Sequence, residues 1–370
     1  NVENVIQSGL VKEKDRDLIV PYIDIDLPKG GLYKNQLIML DILANNDWKR
    51  PLYFTGGSYD DSEYLWMKNY LQLEGLVYKL VPIKTPKNKN NPYLMGRLDA
   101  DLMYEIVKKW EWGNSDSPEI YHDPETRKNS ISYRSNMARL AEVLIDEGKL
   151  EKAKEIIDLN LEKMPVDYFG YYSLLTPFIE GYYRIGAKED ARKLFEQIAE
   201  KYRDQLEYFE SLSLNFQYDL GEEILTEIER YRSLIEVIID NNDEEFMASK
   251  IVAFQKHTAP FEFLYGSYDY FTSQEDFVAG LYIGGDSIAG RSLIENIAFV
   301  YEKRLSQLSS LDPEDQTIYE EIIMDEVNGY RRLMLYVGLH ETDAYRDRME
   351  KRVFVAIEPL AMFDSLLGEE

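Results

Sequence analysis

Residues 136–165 read NMARLAEVLIDEGKLEKAKEIIDLNLEKMP. Small or apolar residues stand at Leu140, Ala141 and Leu144, then at Ala153 and Ile157, with Gly148 between the two sets and Pro165 at the end. That is the period of two amphipathic helices joined by a glycine turn and stopped by proline. The turn returns as Gly186-Ala187-Lys188-Glu189-Asp190-Ala191, with Phe178, Tyr182, Phe195 and Ile198 at matching places. A third, weaker unit runs from Leu234 to His257 around Asn241-Asn242-Asp243-Glu244.

The spacing resembles a tetratricopeptide repeat, a helix pair of about 34 residues. Ala153 to Ala191 is 38 positions, so about one extra helical turn separates the first two units. Two such units with caps predict a short stack of hairpins and not a long solenoid. Downstream, helical periodicity predicts helices over 222–240, 244–256, 288–308, 314–337 and 342–367, with 266–290 irregular.

Upstream the texture changes. Leu18-Ile19-Val20 and Tyr22 to Asp26 are short β-branched or alternating runs, closed by Pro28-Lys29-Gly30-Gly31. A helix is expected from Leu32 to Asn46, a strand from Arg50 into Gly56-Gly57, a helix from Ser58 to Glu74 stopped by Gly75, and a strand over Leu76–Ile83. Asp99–Trp110 reads as a further helix, and Asn114–Pro124 as a boundary. The alternation predicts a small N-terminal α/β domain with a partly parallel sheet, followed by an all-α, tetratricopeptide-like helical-hairpin region. The division expected is 1–120, 121–210 and 211–370.

Composition bounds the function. The chain has 370 residues, 42 Lys+Arg against 68 Asp+Glu, and a net charge of −26. A field of that sign repels phosphate backbones, so nucleic acid is not an expected partner. There is no cysteine, which removes thiol catalysis, disulfides and Cys-ligated metal. Three widely separated histidines, His122, His257 and His340, argue against a His-rich metal site, and no cofactor or metal is expected. No apolar run reaches the 18 residues a membrane span needs. The chain begins at Asn1, without a signal peptide, and reads as a piece of something larger or a processed product.

Candidate chemistry is sparse. Gly285-Asp286-Ser287-Ile288 imitates the nucleophile block of GDS-type esterases, but that chemistry needs a base histidine set by an acid, and His340 has Val337 three positions before it. A glycine turn before a capped helix is the plainer reading. Tyrosine is abundant at 29 and clusters at Tyr168–Tyr172, Tyr182-Tyr183 and Tyr265–Phe271, near Glu180 and Asp269. Aromatic faces beside carboxylates hold sugars, and they also fill the gaps between helix pairs. Tyr172 and Tyr182 are the binding candidates from this set. Trp48 and Arg50, around Lys49, offer an aromatic–cation clamp, or a helix-to-strand loop with Trp48 over the core. Arg134, Asn136 and Arg139 stand where a repeat array presents side chains to peptide carboxylates, and equally where ion pairs would hold the fold. Lys84, Lys87, Lys89 and Arg97 form a basic patch that could meet anionic headgroups or stay a solvated loop.

Four separated blocks carry a resemblance: Leu37–Phe54 (LIMLDILANNDWKRPLYF), Tyr70–Ile83 (YLQLEGLVYKLVPI), Asp101–Tyr104 with Trp112-Gly113, and Arg134–Ala141 (RSNMARLA). In this order, over roughly residues 10–210, they resemble the carboxy-terminal soluble part of a Bacteroidota family of multi-span membrane proteins similar to protein O-mannosyltransferases. The resemblance implies a periplasmic tail, tethered to the inner membrane by its own amino-terminal region, of an enzyme that moves sugar from a polyprenyl-phosphate donor to protein hydroxyls. The catalytic half would lie outside this chain, so no catalytic residue is expected within it. Its partners would be acceptor protein or peptide, that membrane region, and a glycan on either. Asp286-Ser287-Ile288 and Asp364-Ser365-Leu366 resemble the short acceptor pattern for O-glycosylation in the phylum. Two other classes remain open from the residues: a free-standing peptide-binding scaffold, and a helical-toroid carbohydrate-active enzyme.

Overall fold

The front of the chain builds a four-stranded sheet in the order β1-β3-β2-β4, from β1 (Tyr53–Thr55), β2 (Leu71–Glu74), β3 (Val77–Leu80) and β4 (Arg97–Leu98). β3 is antiparallel to both β1 and β2, and β4 runs parallel to β2, so the sheet is mixed as the alternation predicts. β2 and β3 form a hairpin with Glu74 opposite Val77, which leaves Gly75-Leu76 as a two-residue turn. Gly75 has φ +65° and Leu76 does not share that sign, the requirement of a type II′ turn. This corrects the helix expected over 58–74. In the described part of that stretch stand two 3-10 turns, Asp61–Tyr64 and Lys68–Tyr70, then β2. Leu65 and Trp66 both take positive φ, which breaks any α-helix there. Glycine closes hairpins as readily as helices, so Gly75 alone does not discriminate.

The computed structural model describes residues 2–56, 60–85 and 95–361, which divide into two compact units, Asn1–Ala191 and Arg192–Glu370. In the first unit the sheet is joined by α1 (Val2–Gln7), α2 (Lys34–Asn46) and α3 (Ala100–Val107). Of the early β-branched runs, Ile19 forms an isolated antiparallel bridge with Ile83, beside a bond from the Val20 amide to the Pro82 carbonyl. One sheet face carries a buried polar layer. Glu74 is paired with Lys79 and accepts from Gln72 Nε2 at 2.8 Å and Tyr53 Oη at 3.1 Å, which offsets the cost of a buried carboxylate. Burial and Glu74 together push the Tyr53 hydroxyl up to about 12. Then come α4 (Pro124–Asp146), α5 (Leu150–Lys163), α6 (Val166–Phe169) and α7 (Thr176–Arg184). Asp123 caps α4 by accepting from the Glu125 and Thr126 amides, with Pro124 at the first helical position. α4 packs on α5 and α7, burying Leu140, Ala141 and Leu144 together with Ala153 and Ile157, the positions the quoted stretch singles out, and with them Met137 and Ile156.

α8 (Lys188–Glu210) leads into the second unit, followed by α9 (Leu214–Asp219), α10 (Gly221–Asp240), α11 (Glu244–Thr258), α12 (Glu262–Tyr265), α13 (Ser267–Thr272), α14 (Phe277–Ile283), α15 (Ser287–Ser309), α16 (Pro313–Ile318), α17 (Glu320–His340) and α18 (Asp343–Ile357). The long helix expected over 314–337 is interrupted at Tyr319, between α16 and α17. Gly266–Gly290 holds short helices. The chain is therefore an α/β front followed by helices, in the order predicted.

An internal duplication governs the second unit. α8 and α15 have the same length, and both bounds are displaced by 99 positions, Lys188 to Ser287 and Glu210 to Ser309. The same displacement relates the first residues of α9 and α16, α10 and α17, and α11 and α18. Interactions repeat with it. Tyr202 stacks on Tyr231 at 5.8 Å and Tyr301 on Tyr330 at 5.7 Å. Gln217 Nε2 donates to the carbonyls of Glu210 and Leu212, and Gln316 Nε2 to those of Ser309 and Leu311. Arg192 lies over Phe246 at 5.3 Å and Arg291 over Tyr345 at 5.0 Å. The duplication reaches α7 and α14, where Gly181 and Gly280 let an isoleucine in: a Cβ would meet Ile157 Cδ1 at 2.8 Å in one and Ile251 Cδ1 at 2.7 Å in the other.

Candidate functional site

The residues singled out from sequence are tied into the first unit. Arg134 is fully buried. Its guanidinium donates to the carbonyls of Gly170 and, at 3.0 Å, Met164. Burial, opposed by nearby Tyr172, pulls its pKa down to about 10. Asn136 Nδ2 donates to the Gly75 carbonyl at 2.9 Å, and Arg139 to the Gly96 carbonyl at 3.2 Å. One helix, α4, thus grips the hairpin turn and the entry to β4. Tyr182 is buried, and its hydroxyl donates to Asp158 at 2.6 Å. Tyr172 is half-buried in a 3-10 turn over Tyr172–Leu175. Trp48, at φ +60°, packs against two apolar clusters, one around Tyr64 and Leu71, the other around Val5 and Val81. Arg50 is exposed, and its backbone is held by Asn46. The structure brings Arg134 and Tyr172 together; Trp48 and Arg50 stand apart from them, on the loop between α2 and β1.

The other motifs resolve in the same way. Gly285 takes φ +85°, and Asp286 caps α15 by accepting from the Ala289 amide at 2.9 Å. His340 stacks on Tyr282 at 4.9 Å. This is the capped-turn reading of residues 285–288. Arg97 pairs with Asp15 at 2.8 Å and Lys84 is exposed. Lys87, Lys89, Gly57, Ser58 and Asp364-Ser365-Leu366 lie outside the described residues.

The abundance of tyrosine has a structural cause. Hydroxyls of Tyr104, Tyr182, Tyr265, Tyr268, Tyr282, Tyr330 and Tyr345 donate to Glu155, Asp158, Glu229, Glu326, Glu341, Glu302 and Glu295 respectively. Each bond joins two different helices, except that Glu341 stands just past the end of α17. A phenol is neutral, so it satisfies a half-buried carboxylate without adding a charge to desolvate.

What remains is a carboxylate-rich face in the second unit, from α10, the turn before α14, and α17. Glu236 and Glu275 are held above the ordinary carboxyl range, first by burial, then by each other's neighbours: Asp240, Asp276 and Glu229 for Glu236, Asp276 for Glu275. Arg232, 3.0 Å from Glu236, and Arg332, 3.9 Å from Glu275, oppose the shift without cancelling it. The Tyr336 hydroxyl is raised by burial and by Asp276 and Glu275. Surplus negative charge on partly desolvated groups favours an incoming cation or amide donor. Among the described residues no group of three or more His, Cys, Asp or Glu could hold a metal, and no helix is long and apolar enough to cross a membrane. Sequence reasoning missed this face because its members lie on three separate elements.

By fold the chain is an α/β front with stacked helical hairpins. Residues 1–102 match the family described as TMEM260-associated domain 2, which fits a membrane-protein-associated domain. No curated protein matches the chain, and no solved structure does.

Proposed function

We propose that this chain is the non-catalytic, periplasmic extension of a membrane-embedded protein O-glycosyltransferase, where it binds and positions acceptor protein. The match over residues 1–102 carries the reading, because it ties the front of the chain to a membrane-protein-associated domain. The four resembling sequence blocks point to the same kind of parent enzyme. Stacked hairpins suit grip on extended polypeptide. A weak groove tethered near an active site raises local acceptor concentration without adding catalytic groups. The face bearing Glu236, Glu275 and Tyr336 favours acceptor segments with lysine, arginine or free amide donors.

The test is fractionation of source cells with an antibody to this chain. A species heavier than the chain's 43.4 kDa that stays with membranes through alkaline carbonate washing supports the reading. A soluble species of that mass overturns it and favours a second reading, a free-standing peptide-binding scaffold, for which the duplicated hairpins are the supporting observation.

A further inference from the structure

α2 carries apolar residues toward solvent as well as toward the core. Leu40 and Leu43 pack against the core cluster around Tyr64 and Leu71. Away from the core, Ile38 and Ile42 lie one turn apart and are each 51% exposed, flanked on one side by Leu37 at 52% and on the other by Met39 at 38%, and interleaved with Lys34, Asp41 and Asn45; Tyr33 at the helix start is 76% exposed. Tyr22, Leu27 and Tyr53 add exposed apolar surface from the flanking segments. An exposed apolar cluster of this size in one short segment marks a contact surface.

Charge says what the surface meets. Within Gly30–Asn46 only Lys34 and Asp41 are charged. Over Tyr22–Arg50, Asp24, Asp26, Asp41 and Asp47 are balanced by Lys29, Lys34, Lys49 and Arg50, so the segment is neutral in a chain of net −26. All eight of those charges are exposed. The exposed tyrosines Tyr22 and Tyr33 have an apolar ring and a polar tip, the chemistry that settles at the headgroup level of a bilayer. We propose that the outer face of α2, with Tyr22, Leu27 and Tyr33, is a lipid-contact surface that lays the first unit on a zwitterionic bilayer. The helix lies in the interface by this geometry and does not span it. The inference stands on exposure and charge, and does not need the glycosyltransferase reading.

The sign of the lipid-charge effect distinguishes this surface from a basic amphipathic helix. The patch is neutral and the whole chain acidic, so anionic lipid should weaken binding at low salt, and added salt should restore it. The experiment is flotation of the purified full chain with phosphatidylcholine vesicles, and with vesicles containing phosphatidylglycerol. The chain should float with phosphatidylcholine, several-fold less with phosphatidylglycerol at low salt, and at least tenfold less when Ile38→Asp and Ile42→Asp are combined. Both positions are about half exposed, so the double variant should keep its ellipticity and thermal midpoint. Phe216→Asp, at an exposed aromatic of the second unit, serves as the control and should float like the parent. Three results would each overturn the proposal: a parent chain that stays at the bottom of the gradient, flotation indifferent to the α2 changes, or an α2 variant that changes only the mass in sedimentation equilibrium. The last would assign the face to a second copy of the chain. If the double variant unfolds, Leu37→Ser alone gives the same reading with a smaller loss.

Discussion

Replacing Tyr268 by phenylalanine isolates one tyrosine–carboxylate bond. Tyr268 Oη donates to Glu326 Oε2 at 2.6 Å, and Glu326 is 6% exposed. The phenyl ring keeps its edge contact with Tyr301, whose centroid is 6.0 Å away. Only the donor to the carboxylate is removed. A hydrogen bond to a charged group contributes about 1.5–3 kcal/mol. Arg304, 3.6 Å from the other carboxylate oxygen, remains and softens the loss, so about 2 kcal/mol is expected. Glu326 is already raised by burial, and the Tyr268 bond is the first influence lowering it. A carboxyl raised in the folded state contributes stability below its unfolded pKa and loses it as pH rises through the folded value. Without Tyr268 the folded value rises further, and that loss grows. The deficit should therefore be largest above the Glu326 titration and shrink to that of a neutral bond, about 1 kcal/mol, below it. Urea unfolding followed by ellipticity at several pH values measures it as a lower midpoint at unchanged slope. Hydrogen exchange in α13 and α17 should rise in parallel. A deficit independent of pH, or none, would refute the view that tyrosine hydroxyls stabilise ionised carboxylates between these helices.

Gly181→Ala and Gly280→Ala should lose similar stability, each about 1–3 kcal/mol, because the new methyl meets an isoleucine at 2.8 and 2.7 Å; thermal midpoints of the two variants compare them directly. Gly284→Ala should cost at least as much, since its Cβ would meet Ala248 Cβ at 2.6 Å and the Ala248 backbone nitrogen at 2.9 Å. Arg134→Met leaves the Gly170 and Met164 carbonyls without their donor and should cost about 2–4 kcal/mol by urea titration; an unchanged midpoint would show the guanidinium to be dispensable. Asp101 is held at about 2 by hydrogen bonds from Lys149 and Lys152. Its contribution is present above the ordinary carboxyl range and lost as pH falls through about 2, so Asp101→Asn should flatten the acid limb of the stability profile in that window. The group is largely exposed, and the effect should stay below about 1 kcal/mol.

Much of the helical part was legible because its signals are local. Gly148 and Gly186 take positive φ where the turns were expected, and Leu140, Leu144, Ala153 and Ile157 are buried where the period puts them. The β2–β3 hairpin was not legible, because Leu71–Glu74 reads equally as the end of a helix until its pairing with Val77–Leu80 is known. The duplication escaped for a different reason. Its unit spans three long helices with short ones between, about three times the period of a single hairpin repeat, and its markers are sparse, Tyr202 and Tyr301, Tyr231 and Tyr330, Gln217 and Gln316. The sequence candidates Arg134, Asn136, Arg139 and Tyr182 were chosen for polar chemistry on helices, and polarity does not reveal whether the partner is a ligand or the chain's own carbonyls and carboxylates.

The near-identical layout of α8–α11 and α15–α18 creates a kinetic hazard. During refolding each amphipathic hairpin meets two sockets of almost the same shape, its own and its copy's, whether in the same polypeptide or in a neighbour. Dilution should then speed recovery of the native state, and concentrated refolding should trap exchanged dimers that dissociate only when the hairpins unfold.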